Sequence, residues 1–145
     1  MESAHAQKPL ELILARNLLT SISTPGFLLD HEAAIVFYNE AAGALLGRSF
    51  EDAGRMAADE WTGKFGPLDA DGRPIGIDRL QITAAIRDGR PAHGRFVIRV
   101  RDGRREIEAS AFPIVTSEHG ASGAMILFWT PTGNGNERQR TGGRD

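Results

Sequence analysis

Hydrophobic and polar positions change period several times along the chain, and each change marks an element. Leu10, Ile13, Leu14, Asn17, Leu18 and Ile22 recur close to one helical face, while Leu12 and Leu19 form a second stripe. The spacing predicts a helix over 10–22, opened by Pro9 and ended by Thr24-Pro25-Gly26. Two apolar stripes require two surfaces: one is expected to cover a sheet, and the other, Leu12 and Leu19, to meet a second copy of the chain. Phe27 to Leu29 then form a short apolar run, Asp30 to Ala33 a turn, and Ile35 to Tyr38 a β-branched and aromatic run. Asn39 opens an Ala- and Leu-rich stretch that ends at Gly47. This reads as a hairpin feeding a helix, with Asn39 suited to the N-cap and Gly47 to the left-handed stop.

The stretch 48–78 is irregular. Ser49 with Asp52 three residues on predicts a short helix through Ala58, followed by an aromatic-based loop carrying Trp61, Phe65, Pro67 and Leu68, and by the turn Asp69-Ala-Asp-Gly-Arg-Pro74. Asp78 is placed to cap a helix bearing Leu80, Ile82, Ala85 and Ile86, stopped by Asp88-Gly89-Arg90-Pro91. Beyond it, two alternating strands flank Asp102-Gly103, the dipeptide suited to a two-residue hairpin turn. Counting outward from that turn pairs Ile98 with Ile107, Phe96 with Ala109 and Val100 with Arg105 on the core face. Arg99 then meets Glu106, and Val97 meets Glu108, on the exposed face. Ala124 to Trp129 is apolar at every position, as is Phe27 to Leu29, so both are expected to be central strands buried on both faces.

These residues resemble those of a PAS domain, a sensory module of bacterial signalling proteins. The resemblance rests on Asp30, Ile35, Asn39 with Ala41 and Ala42, the Asp71-Gly-Arg-Pro turn, Asp102-Gly103 and Pro113, in that order, across roughly Leu10 to Pro131. It implies an α+β fold: a five-stranded antiparallel sheet with the first and last strands adjacent in the middle, helices on one face and the N-terminal helix on the other. Ala33 departs from the family, which usually has Gly in that turn. Trp129-Thr130-Pro131 also departs from the Asp-x-Thr exit of multidomain members. The domain organisation expected is a disordered 1–9, one domain over 10–131, and a disordered, Gly-rich 132–145.

Composition narrows the chemistry. With 145 residues the chain is large enough to fold as one unit without staples, and its 17 Lys plus Arg against 19 Asp plus Glu offer no basic block for nucleic acid. It has no cysteine, which excludes disulfides, thiolate metal sites and the flavin adduct of light-sensing PAS domains. No signal-peptide pattern and no run of membrane-spanning length occurs, so a cytoplasmic protein without membrane contact is expected. The four histidines, His5, His31, His93 and His119, lie in separate segments without metal-ligand spacing. In haem-binding PAS domains the axial His sits on the helix before the third strand; here that helix offers Gln81, Thr83 and Arg87, which speaks against haem by that route. Asp69-Ala-Asp-Gly lacks the later ligands of a calcium loop and reads as a turn. No nucleophile elbow, Walker loop or dinucleotide fingerprint is present.

The expected site is a small apolar pocket between the concave sheet and the helices. Its candidate lining is Leu28, Ile35, Phe37, Leu46, Trp61, Phe65, Ile82, Ile86, Phe96, Ile98, Arg105, Ile107 and Leu127, with core packing as the other role of each. Arg105 is the charged residue that the hairpin register turns inward; it either fixes a ligand carboxylate or snorkels to water at the end of the sheet. The function expected is a stand-alone, non-enzymatic sensory or regulatory module that binds a small apolar or amphipathic ligand and signals through homodimer or partner contacts. The rival is a constitutive dimerisation or docking module with a filled interior, and behind it a small enzyme of related curved-sheet fold.

Overall fold

The computed structural model describes residues 10–76, 79–80, 83–116 and 120–131. Helix α1 (Leu10–Ser21) leads into strands β1 (Gly26–Asp30) and β2 (Ile35–Tyr38), then helices α2 (Glu40–Leu46), α3 (Phe50–Ala53), α4 (Ala58–Phe65) and α5 (Ala84–Asp88). Strands β3 (Ala92–Val100), β4 (Gly103–Thr116) and β5 (Gly120–Trp129) complete an antiparallel sheet of order β2-β1-β5-β4-β3. The two continuous apolar runs are therefore neighbours inside the sheet. One core lies between the sheet and α2–α5, built on Phe27, Leu29, Tyr38, Trp61, Ile107, Ile126 and Phe128. A smaller one lies on the opposite face, where Leu12 and Leu19 of α1 pack on Leu28. The terminal segments expected to be disordered lie outside the described residues.

Asn39 explains why the first half of the chain closes as it does. Its Oδ1 accepts from Ala42 N at 3.1 Å, capping α2, and from Gly26 N at 3.1 Å, the start of β1. Its Nδ2 donates to Leu19 O at 3.0 Å and to Thr24 O at 2.8 Å. One buried amide thus joins the end of α1, the connection after it, β1 and α2. Gly47 stops α2 in the left-handed conformation at φ 87°, as its position implied.

Two loops share one design. Asp30 Oδ1 accepts from Glu32 N at 2.9 Å and Ala34 N at 3.0 Å, while Ala33 N donates back to Asp30 O at 2.9 Å. Asp69 does the same: Oδ1 takes Asp71 N at 2.9 Å and Arg73 N at 3.0 Å, and Gly72 N returns to Asp69 O at 3.0 Å. The Arg73 N–H on the carboxylate, ahead of the other causes, holds the Asp69 carboxyl below its ordinary range. The fourth residue has positive φ in both, 63° at Ala33 and 82° at Gly72. Ala33 therefore sits in a conformation that suits glycine, which accounts for the family's usual Gly at that place. Substituting Gly72 by alanine is expected to cost about 1 kcal/mol, the left-handed strain less the reduced freedom of the unfolded chain. Urea unfolding checks this, and an unchanged midpoint would remove the argument.

Three expectations change. The helix after Ser49 ends at Ala53, because Met56 exchanges hydrogen bonds with Ile35 (2.8 and 3.1 Å) and extends the edge of the sheet. Trp61 lies on α4, not in a loop. The β3–β4 hairpin turns at Arg101-Asp102, since Val100 pairs with Gly103. Phe96 consequently faces Ile107, Ile98 faces Arg105, and Arg99 faces Arg104. The expected Arg99–Glu106 pair is replaced by Arg95, which meets Glu108 at 2.7 Å and Glu106 at 3.8 Å. Arg99 instead donates to Gly63 O at 2.7 Å.

Candidate functional site

The concave face of the sheet and α4 border a small pocket of about 30 Å³. Its walls are Phe27, Ile126 and Phe128 from the central strands, Phe96, Ile98, Ile107 and Ala109 from β3 and β4, and Trp61, Phe65, Gly66 and Pro67 from α4 and the turn after it. Every wall residue is apolar, and the space is far below the roughly 300–1,000 Å³ of small-molecule sites. Aromatic packing occupies the rest: the Phe27 ring lies 5.0 Å from Phe128 and 6.3 Å from Trp61, centroid to centroid. The Trp61 Nε1–H donates to Ala33 O at 2.8 Å, pinning α4 over the β1–β2 turn. Arg55 ties the preceding connection to the same turn through Asp30 at 3.0 Å. The sequence pattern therefore builds a lidded, nearly filled interior.

Of the expected lining, Trp61, Phe65, Phe96, Ile98 and Ile107 border the cavity. Ile35 and Leu46 are buried in the same core beside it, and Ile86 packs against that core half-buried. Leu28, Phe37 and Leu127 are corrected to the opposite face, where they pack with α1. In the continuous runs both faces are apolar, so sequence gives no phase; Phe27, Ile126 and Phe128 hold the inward positions instead. Phe37 is turned outward by an irregularity in the β1–β2 pairing: Leu28 meets Phe37 but Leu29 meets Ile35, leaving Val36 as the extra residue. Arg105 shares the inward phase of β4 but is exposed, so it extends to water. Ile82 lies outside the described residues. Ala109, Gly66 and Pro67 were not foreseen; Ala109 follows from the inward alternation of β4 once the register is known.

The α1 stripes are also reversed. Leu12 and Leu19, expected to meet a second copy, are 7% and 0% exposed and lie on the chain's own sheet. The outward stripe is Leu10, Ile13, Leu14 and Leu18, 44–64% exposed. Beside α1 on the same sheet face, Phe112 and Trp129 also reach solvent, Phe112 across from Met125 and Trp129 across from Glu108. Among the described residues no group of His, Asp and Glu is arranged to hold a metal ion, and no helix is long and apolar enough to cross a membrane.

No family model matches the chain, and none of the curated proteins matches it in sequence. Solved structures do match in fold. The Rhodobacter sphaeroides LOV protein superposes with a TM-score of 0.68 at 12% identity, covering 91% of this chain and 74% of that one. The PAS domain of nitrogen regulation protein NR(II) from Vibrio parahaemolyticus gives 0.57 at 17% identity, covering 81% and 97%. The PAS domain of Bordetella pertussis BvgS gives 0.55 at 13% identity, covering 83% and 84%. The chain has the PAS fold, as its Asp30, Ile35 and Asn39 pattern implied.

Proposed function

We propose that this chain is a non-enzymatic regulatory module of PAS type that works as a homodimer, its copies meeting on the outward stripe of α1 and the adjoining sheet face. The observation that carries the reading is the amphipathic inversion of α1, which keeps Leu10, Ile13, Leu14 and Leu18 in water although its other face is buried. Burying a large aliphatic side chain is worth about 1.5–3 kcal/mol, and contiguous apolar patches mark interaction surfaces. A two-fold dimer uses the same patch on both copies, which a helix stripe beside an apolar sheet face satisfies. The wholly apolar wall of the interior cavity supports the non-enzymatic part, since it sets no acid, base or nucleophile there.

Leu14→Glu is expected to turn a dimer into a monomer while the far-ultraviolet circular dichroism stays unchanged, read by light scattering after size exclusion. A wild-type chain that is monomeric at about 100 μM, a concentration far above the Kd of a stable dimer, overturns the reading. A second reading, sensing of a small apolar or amphipathic molecule between sheet and helices, draws on the aromatic character of the same cavity. Because the space is far smaller than the roughly 300–1,000 Å³ of small-molecule sites, such a ligand requires α4 and the 66–68 turn to move outward. Native mass spectrometry of protein purified from its own host tests it: excess mass that leaves on denaturation supports a ligand, and bare chain at sequence mass supports the docking reading alone.

A further inference from the structure

A second concavity lies outside the sheet–helix interior, where α1, the end of β2, α2, α3 and the β3–β4 turn converge. It is an open cleft of about 710 Å³, within the usual range for small-molecule sites. Its floor is aromatic: the Phe50 ring stands edge-on to Phe37 at 5.5 Å and to Tyr38 at 5.4 Å. Its rim carries Arg16, Arg48 and Arg101 together with Glu40, Glu51 and Asp52. They lie on α1, α2, the α2–α3 connection, α3 and the β3–β4 turn, and among the described residues no ion pair joins any two of them.

The fold holds the charges apart. Arg101 is anchored by its backbone N–H on Leu45 O at 3.1 Å, with its side-chain stem against Gly47, where an added Cβ would lie 3.1 Å from its own. Arg16 stacks its guanidinium over Phe37, 4.6 Å from the ring centroid. Arg48 spends one N–H on the backbone oxygen of Asp52 at 3.2 Å. Among the described residues neither Arg16 nor Arg101 has a carboxylate partner, and Glu40 and Glu51 have no cation. A ligand that carried a single charge would meet repulsion from half of this rim.

We propose that the cleft binds a small zwitterion with an apolar or aromatic group, a molecule of the α-amino-acid class. Its carboxylate faces the arginines, where planar guanidinium groups suit it, and its ammonium faces Glu40 and Glu51. Its apolar group lies on the Phe37 and Phe50 rings. The site shares no lining residue with the outward stripe of α1 or with the interior cavity.

The test is titration of the full chain, labelled with nitrogen-15, with L-phenylalanine, 3-phenylpropionate and phenethylamine as separate probes. L-Phenylalanine is expected to give saturable shifts at the amides of Gly43, Gly47 and Arg101. The two single-charge analogues, and the Arg101→Ala variant with L-phenylalanine, are expected to bind at least tenfold more weakly. Arg16→Ala replaces Arg101→Ala should the latter lose the wild-type amide pattern. The proposal fails if L-phenylalanine gives no saturable shift up to roughly 10 mM, tenfold above a millimolar Kd. It fails equally if an analogue lacking one charge binds as well, or if the shifts fall on the Trp61 indole and β5 instead of the cleft.

Discussion

Asn39→Ala is expected to destabilise the fold by about 3–5 kcal/mol, more than any other polar substitution among the residues described. The loss has two parts. Removing the cap of α2 costs about 1 kcal/mol. The remainder comes chiefly from Gly26 N–H and Leu19 O, which lose a buried Asn39 partner at about 1–3 kcal/mol for a fully buried group, and less from Thr24 O, which is part-buried. The melting temperature should fall by roughly 10–20 °C for a domain of this size. Asn39→Ser separates the parts: a hydroxyl restores the cap to Ala42 N but is too short to hold α1, so it should recover only about 1 kcal/mol. Both variants should speed amide exchange in α1 relative to β4, because Leu19 O anchors the end of that helix. A loss below about 1 kcal/mol for the alanine variant would mean that capping is its only role.

The same residue marks how far the sequence could be read. Asn39, Gly47 and the Asp30 turn announced themselves because a cap, a left-handed stop and a carboxylate-bridged loop are local devices whose chemistry resides in one or two residues. Helix α4 carried no such notice. Its N-cap position is Ala57, which offers no side-chain oxygen, and Gly63 interrupts its pattern. Phase was the second gap. In β1 and β5 both faces are apolar, so alternation could not choose between Leu28 and Phe27, or between Leu127 and Phe128. The arrival of α1 on one face decided it. The hairpin register differs by two residues from the one an Asp102-Gly103 turn implies, since the turn is Arg101-Asp102. An even slip keeps every side chain on its face, which is why Ile98, Phe96 and Ile107 still point inward although their partners differ. The outer cleft was invisible for a further reason: its charges come from α1, the 40–52 stretch and the β3–β4 turn, three places distant in sequence, and only the closed fold brings Arg16 to Arg101.

Trp61→Ala should cost about 4 kcal/mol or more, through the lost packing of a side chain 2% exposed and the unpaired Ala33 carbonyl it leaves behind. The vacated space adjoins the cavity bounded by Phe27, Phe96, Ile98 and Phe128, so the variant should gain an apolar site about the size of the removed indole. Added indole is then expected to restore part of the stability by mass action, about 1.4 kcal/mol at tenfold above its Kd. Trp61→Phe retains most of the ring contact with Phe27 but not the hydrogen bond, and should lose only about 1–3 kcal/mol without responding to indole. Thermal unfolding of the three proteins with and without indole distinguishes the two functional readings of the interior. A wild-type chain that indole leaves unchanged has an interior filled by its own aromatic side chains, and its regulation must run through surfaces. A wild-type chain that indole stabilises as strongly as the alanine variant opens α4 unaided, and the interior then serves as the sensing site. An unfolding midpoint unchanged by Trp61→Ala would contradict the burial and the Ala33 hydrogen bond on which both readings rest.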